Sequence, residues 1–232
     1  MKKVGILIFG AALVTGLVVA NIFSFGRVGN LVKFSMDFGR VHGSGNVVKE
    51  TREVARFTGI DVGSVFEVTV VAQSEQGVEI EADDNLMPLI QTEVRGGRLH
   101  IESDKRFKSG SPVRIRISVQ NIDEIEVSGA ANVSISDLKN DAIKIESSGG
   151  SKVTVTGETM NLKVETSGGA KVFTSELASI NADIDGSGGS FVEVNVSGEL
   201  RTHISGGSHV KFVGTPTNVI VKKSGGARVS KK

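Results

Sequence analysis

"SGGSKVTV" at residues 148–155 is followed by "SGGAKVFT" at 167–174 and "SGGSFVEV" at 187–194. The same turn recurs at Ser128-Gly129-Ala130, Ser205-Gly206-Gly207 and Ser224-Gly225-Gly226, so six serines stand 20, 19, 20, 18 and 19 residues apart. Five residues after each serine comes a valine: Val133, Val153, Val172, Val192, Val210 and Val229. Two further on stand Ile135, Val155, Thr174, Val194, Phe212 and Lys231. Alternation of this kind marks a half-buried strand. Each unit also holds a second strand, such as "AIKIES" (142–147), "NLKVET" (161–166), "INADID" (180–185) or "NVIVKK" (218–223). Between the two strands lie further turn signals at Gly157-Glu158, Gly198-Glu199 and Gly214-Thr215-Pro216.

A unit of turn, strand, turn and strand in about 19 residues cannot bury its apolar face alone, but stacked units can. The pattern predicts an all-β chain wound as a parallel β-helix, with the valines as an inner column. A stack of antiparallel hairpins or a β-sandwich is the rival, and it offers no reason for one turn at constant period. The turn glycines are structural candidates: Gly129, Gly149, Gly150, Gly168, Gly169, Gly188, Gly189, Gly206, Gly207, Gly225 and Gly226. Glycine suits a backbone that turns with positive φ or approaches its neighbour closely. The serine beside it is expected to bond nearby backbone groups. Lys231, in a slot that is mostly apolar in earlier units, is expected to discourage pairing at the sheet edge.

The fourth residue after each serine should face outward: Asn132, Lys152, Lys171, Phe191, His209 and Arg228. This stripe is either an ordinary solvated sheet face or a contact ladder for an anionic surface or polymer. Phe173 and Phe191, on successive units, form the candidate apolar patch for a homo-oligomer interface. Trp and Tyr are absent, which weighs against an aromatic platform for sugars.

Before residue 120 the spacing is looser. Strands are expected within 56–73, 77–83, 96–103 and 113–119, with a helical turn in 84–94, where Pro88 interrupts the alternation. These segments read as irregular first coils and a cap, and 46–232 reads as one domain. Residues 27–45 read as a linker with a helical turn around 31–38. Residues 1–26 start with Lys2 and Lys3 and then carry no charge from Val4 to Gly26. They read as a cleaved signal peptide or as an uncleaved anchor held in the membrane through residues 4–26. Both readings place the body on the exported side of the membrane, in the cell envelope.

The chain has 232 residues and no cysteine, so neither a disulfide framework nor a thiolate metal site is available. Its net charge is +1, and without residues 1–26, which hold two lysines and no acid, it is −1. That balance gives no electrostatic case for nucleic acid. The four histidines (His42, His100, His203, His209) lack a consistent third group and read as solvent-facing strand residues. Asp83 and Asp84 are adjacent, so on a strand they point to opposite faces and do not form an acid–base pair. The other acids, Asp61, Asp123, Glu124, Asp183 and Asp185 among them, read as scattered. No catalytic, cofactor or metal residues are expected. The "SGGSxVxV" stretch lacks the Lys-Ser/Thr and following helix of a phosphate loop.

The blocks "GSGNVVKETREVARFTGIDV" (43–62) and "VEIEADDNLMPLIQTEVRGGRLHI" (78–101), with the Ser-Gly-Gly coils after them, resemble the bacterial autotransporter adhesin head family, also called the GIN domain. The resemblance covers about residues 43–230. Family members more often have GSG at the turns where this chain has SGG, which bears on the local turn type. The resemblance implies a right-handed β-helix, a structural turn at "ADDNL", no catalytic set, and a role in adhesion or envelope surface interaction. The alternatives are a periplasmic scaffold or stress-related regulator, and a polysaccharide-active β-helix enzyme. The expected partner is an envelope or surface polymer or protein.

Overall fold

The computed structural model describes residues 39–232, which form one compact unit. The leader at 1–26 and the helical turn at 31–38 lie outside the described residues. No helix of the described residues is long and apolar enough to cross a membrane.

From residue 132 onward the chain is a parallel β-solenoid. Two stacks of strands meet at the Ser-Gly turn. The leading stack holds the strands before the turn: 142–147, 161–166, 182–186, Glu199–Ile204 and Asn218–Lys223. The trailing stack holds those after it: 132–135, 152–154, 171–174, Phe191–Val196, His209–Val213 and Arg228–Lys231. Val133, Val153, Val172, Val192, Val210 and Val229 pair in direct register from rung to rung. The first five are at most 1% exposed. Parallel stacking places equivalent residues over one another, which is why one residue type serves at every rung. Antiparallel pairing, the mark of the rival architecture, is confined to the other end of the molecule.

The two glycines of each turn have different roles. Gly149, Gly168, Gly188, Gly206 and Gly225 all have φ between +67° and +75°. A Cβ on any of them would stand 2.6–3.0 Å from the carbonyl oxygen of the turn one rung below. The second glycines keep ordinary φ, and a Cβ there would meet that carbonyl only at 3.5–3.8 Å. Their amides instead donate to it, as Gly169 N does to Gly149 O at 2.8 Å. The turn serines are not the ones that bond the backbone. Ser151 and Ser208, three residues later and buried, donate to the carbonyls of Ser148 and Ser205 at 2.8 Å.

The second corner is also smoother than its glycines suggest. Asn132–Ser147, Lys152–Thr166 and Lys171–Gly186 run through it as continuous strands, absorbing the bend as register shifts. Asp137 (φ 60°) and Gly157 (φ 128°) carry that bend.

The first half does not stack in chain order. Gly59–Val62 and Glu67–Val71 lie between the rung of Arg98–Ser103 and Arg114–Ser118 on one side and that of Glu124–Val127 and 132–136 on the other. Ile60, Val62, Phe66 and Val70 are all 0% exposed as a result. Antiparallel strands close this end: Ile90–Arg95 on Arg98–Ser103, Gly77–Asp83 on Arg114–Ser118, and Val47–Thr51 on Gly77–Asp83. The helical turn expected in 84–94 is a single one at Met87–Leu89, and the rest of that stretch is the strand Ile90–Arg95. The end of the expected linker belongs to the body, since Val41–His42 pairs with Phe107–Lys108.

At the opposite end every residue of Asn218–Lys223 is exposed, including Val219 and Val221, which continue the inner column above Leu200 and Thr202. Lys231 stands beside Phe212 in the expected slot.

Candidate functional site

The trailing face carries the expected stripe. Glu67, Asn132, Lys152, Lys171, Phe191, His209 and Arg228 form one straight column, each in register with the next. Phe173 belongs to the neighbouring column, followed on successive rungs by Glu193 and Lys211. The Phe173 and Phe191 rings meet at 5.7 Å, and His209 packs edge-on against Phe191 at 5.8 Å. Lys152 Nζ lies 5.4 Å from the centre of the Phe173 ring, and Lys211 Nζ 5.6 Å from that of Phe191. Both rings are half-buried, so the pair is a seat for two ammonium groups rather than an open apolar patch. The exposed apolar side chains of the array's flank are Met160 (49%) and Ile180 (46%), on adjacent coils at the second corner.

Among the described residues, Lys152, Lys171, Lys211 and Arg228 form no ion pair; the one carboxylate beside them on these rungs, Glu193, binds Lys232 at 3.3 Å. The trailing face thus presents cations whose charge nothing among the described residues neutralises at contact distance.

The leading face is the reverse. Asp61, Glu126, Glu146, Glu165 and Asp185 form a column of carboxylates, one per rung, with His100 before them and His203 and then Lys222 after them. These acids are not scattered. Four of them sit two residues before a turn serine, a spacing legible in the sequence beside the valines. Asp61 joins them only because its strand is inserted out of chain order. His100 Nδ1 lies 2.9 Å from Asp61, and His203 Nδ1 3.8 Å from Asp185. Beside this ladder runs a groove of about 530 Å³, walled on its other side by Ser148, Ser167, Ser187 and Ser205.

Cations one column away answer these charges. Arg98 pairs with Glu124 and Glu126, Lys144 with Glu146, and Lys163 with Glu165 at 2.8 Å. The bond from Lys163 holds the Glu165 carboxyl below the usual range. A proton donor at neutral pH needs a carboxyl pushed up instead. The carboxyls that shift clearly here, Glu79, Glu81, Asp84 and Glu165, all move down because cations or hydrogen-bond donors stabilise their charged forms. The ladder is ion-paired structure on this geometry. Among the described residues no group of three or more His, Asp or Glu side chains is placed to hold a metal ion.

The "ADDNL" block is a clip. Asp83 is buried (1% exposed) and accepts from Ser109 Oγ at 2.6 Å, while exposed Asp84 accepts from Ser44 Oγ at 2.5 Å and Asn46 Nδ2 at 2.9 Å. Asn85 accepts from Ser44 N and donates to His42 O. The two aspartates face opposite ways, and together they fasten residues 42–46 to the cap.

Residues 56–216 match the family model described as "Putative auto-transporter adhesin, head GIN domain". Among curated proteins none matches the chain. Three solved structures share its fold. A putative adhesin from Bacteroides fragilis NCTC 9343 is 18% identical, with a TM-score of 0.66 over 83% of this chain and 100% of that one. A putative adhesin from Parabacteroides merdae ATCC 43184 is 17% identical, with a TM-score of 0.55 over 84% and 99%. A putative lipid binding protein from Parabacteroides distasonis ATCC 8503 is 13% identical, with a TM-score of 0.51 over 83% and 99%. One architecture therefore carries different functional names, and the ligand must be argued from the site.

Proposed function

We propose that this chain, which belongs to the auto-transporter adhesin head (GIN) domain family, is a non-enzymatic, exported surface-interaction module that uses its trailing face as the contact surface. The observation that supports this is the stripe itself: Lys152, Lys171 and Arg228 in one column and Lys211 beside it, on a rigid parallel sheet, without neutralising partners. A rigid scaffold that displays a fixed row of side chains suits contact with an extended partner, because little is left to order on binding. Attachment of cells to surfaces or to one another is the role that fits. The test is deletion of the gene, followed by complementation with the wild-type chain and with a Lys152→Gln/Lys171→Gln/Arg228→Gln chain. Attachment should fall on deletion, return with the wild type and not with the variant. Attachment unchanged by deletion overturns the proposal. Protease treatment of intact cells should also degrade the body; full protection would argue for the periplasmic scaffold instead.

A further inference from the structure

Resting on that reading of the trailing face, we infer that its ligand is a linear acidic polysaccharide with about one carboxylate per sugar ring, lying along the solenoid axis. The column advances one rung at a time, at about 4.8 Å per rung. From Lys152 to Arg228 is four rungs, or about 19 Å on that spacing. Lys152 and Lys171 are one rung apart and Arg228 stands three rungs beyond, with Phe191 and His209 between, so a partner that spans the column must be extended and straight, with charges at whole multiples of the rung.

Two features select among polyanions. The first is the state of the aromatic rings. Nucleic acid binds exposed aromatic faces by base stacking, but here Lys152 and Lys211 lie over the rings, which also pack against each other and His209. The rings instead restrain two long lysines, which reduces the rotamer freedom lost when an anion arrives. The second is linearity. Duplex phosphates wind around an axis, whereas these cations form a straight row, so few phosphates could stay in register. A polyuronate has neither problem: its charges are carried on the rings of an extended chain, and its hydroxyls can bond Thr154, Ser134 and Ser230 in the adjacent column.

The contrast with the leading face sharpens the assignment. Arg98, Lys144, Lys163 and Arg201 are as numerous, yet each is bonded to a carboxylate of its own face; Lys222 and Lys223, on the exposed last strand of that stack, have no ion pair among the described residues. Binding there would require breaking ion pairs, while binding on the trailing face breaks none. The leading-face cations therefore supply a charge-matched control.

The experiment is titration of the purified full chain with alginate oligosaccharides of defined length, at about 0.15 M salt, where charges beyond about 8 Å are largely screened. Affinity should climb from the disaccharide to about the pentamer and then level off. The Lys152→Gln/Lys171→Gln/Arg228→Gln variant should bind about thirtyfold more weakly, at roughly threefold per exposed charge. A Lys144→Gln/Lys163→Gln/Arg201→Gln variant, which also removes three positive charges, should bind within about twofold of wild type. Neutral dextran should not bind. Equal losses in the two variants, or full affinity for the disaccharide, overturn the axial stripe. Tighter binding of a single-stranded oligonucleotide of equal charge overturns the polysaccharide in favour of nucleic acid. Circular dichroism of each variant separates lost binding from lost fold. Cell attachment that depends on the chain without alginate binding would leave the adhesion role standing and remove this ligand class; alginate binding without any attachment defect would do the reverse.

Discussion

At the scale of single residues, a methyl group on Gly188 and one on Gly189 should have very different consequences. Gly188 has φ +75°, and its Cβ would stand 2.7 Å from Gly168 O. Gly188→Ala should therefore cost about 1–3 kcal/mol of stability in urea titration. Gly189→Ala should stay within about 0.5 kcal/mol, because that site has ordinary φ and the first turn already carries Ala130 there. Thr202 invites the opposite change. Its buried hydroxyl has no hydrogen-bond partner and stands in the inner column between Ile184 and Val221. Thr202→Val should raise stability by about 1 kcal/mol by removing an unpaired polar group. The inner valines and the outward stripe were legible in the sequence because both follow one period. The carboxylates at Glu126, Glu146, Glu165 and Asp185 follow it too, but a search for catalytic pairs looks at neighbours along the chain, while stacked residues are 19 or 20 apart. Asp61 and His100 could not be added by any periodicity, since their partners are set by the inserted rung.

Among elements, the cap depends on charge more than the array does. Glu79 is bound by Arg116 and Lys49, Glu81 by Arg114, and Asp84 by Ser44 and Asn46, and each carboxyl is held below its ordinary value. A carboxyl whose folded value is depressed contributes stability that is present above the ordinary value, here 4.5 for the glutamates and 3.8 for Asp84. That contribution is lost as pH falls through the lowered folded value. Limited proteolysis with an acid-active protease should cut first within residues 40–58 at about pH 3, while the valine-cored rungs resist. Equal protection of both regions at that pH would show that the clip contributes nothing. The strand Ile90–Arg95 was hidden in the sequence because Pro88 and the turn at Met87–Leu89 interrupt the alternation just before it. The cap was recognisable by its looser spacing, but its antiparallel pairing was not, because those contacts have no repeat to follow.

For the molecule as a whole, charge is distributed by face. Lys144, Lys163 and Arg201 of the leading stack are ion-paired, while Lys152, Lys171, Lys211 and Arg228 of the trailing stack are not, so binding of anions should weaken as salt rises while stability changes little. Melting temperature followed from about 0.05 to 0.5 M salt should move only slightly across the range where alginate binding is lost.

The inserted rung has a consequence for time. Within the array each strand finds its partner 17 to 20 residues away, but Gly59 pairs with Arg98 and Glu124, 39 and 65 residues along. Closing long loops slows folding, because their entropy is lost before the contacts form. The array should therefore zip quickly from local contacts, and the segment 59–71 should seat late. Refolding should show two phases, with Val172→Ala altering the fast one and Ile60→Ala the slow one. A chain that emerges from its N-terminus exposes this apolar segment early and cannot pair both its edges until residue 136 has followed. That waiting interval, rather than the finished fold, is when the protein is most open to aggregation and most in need of a chaperone.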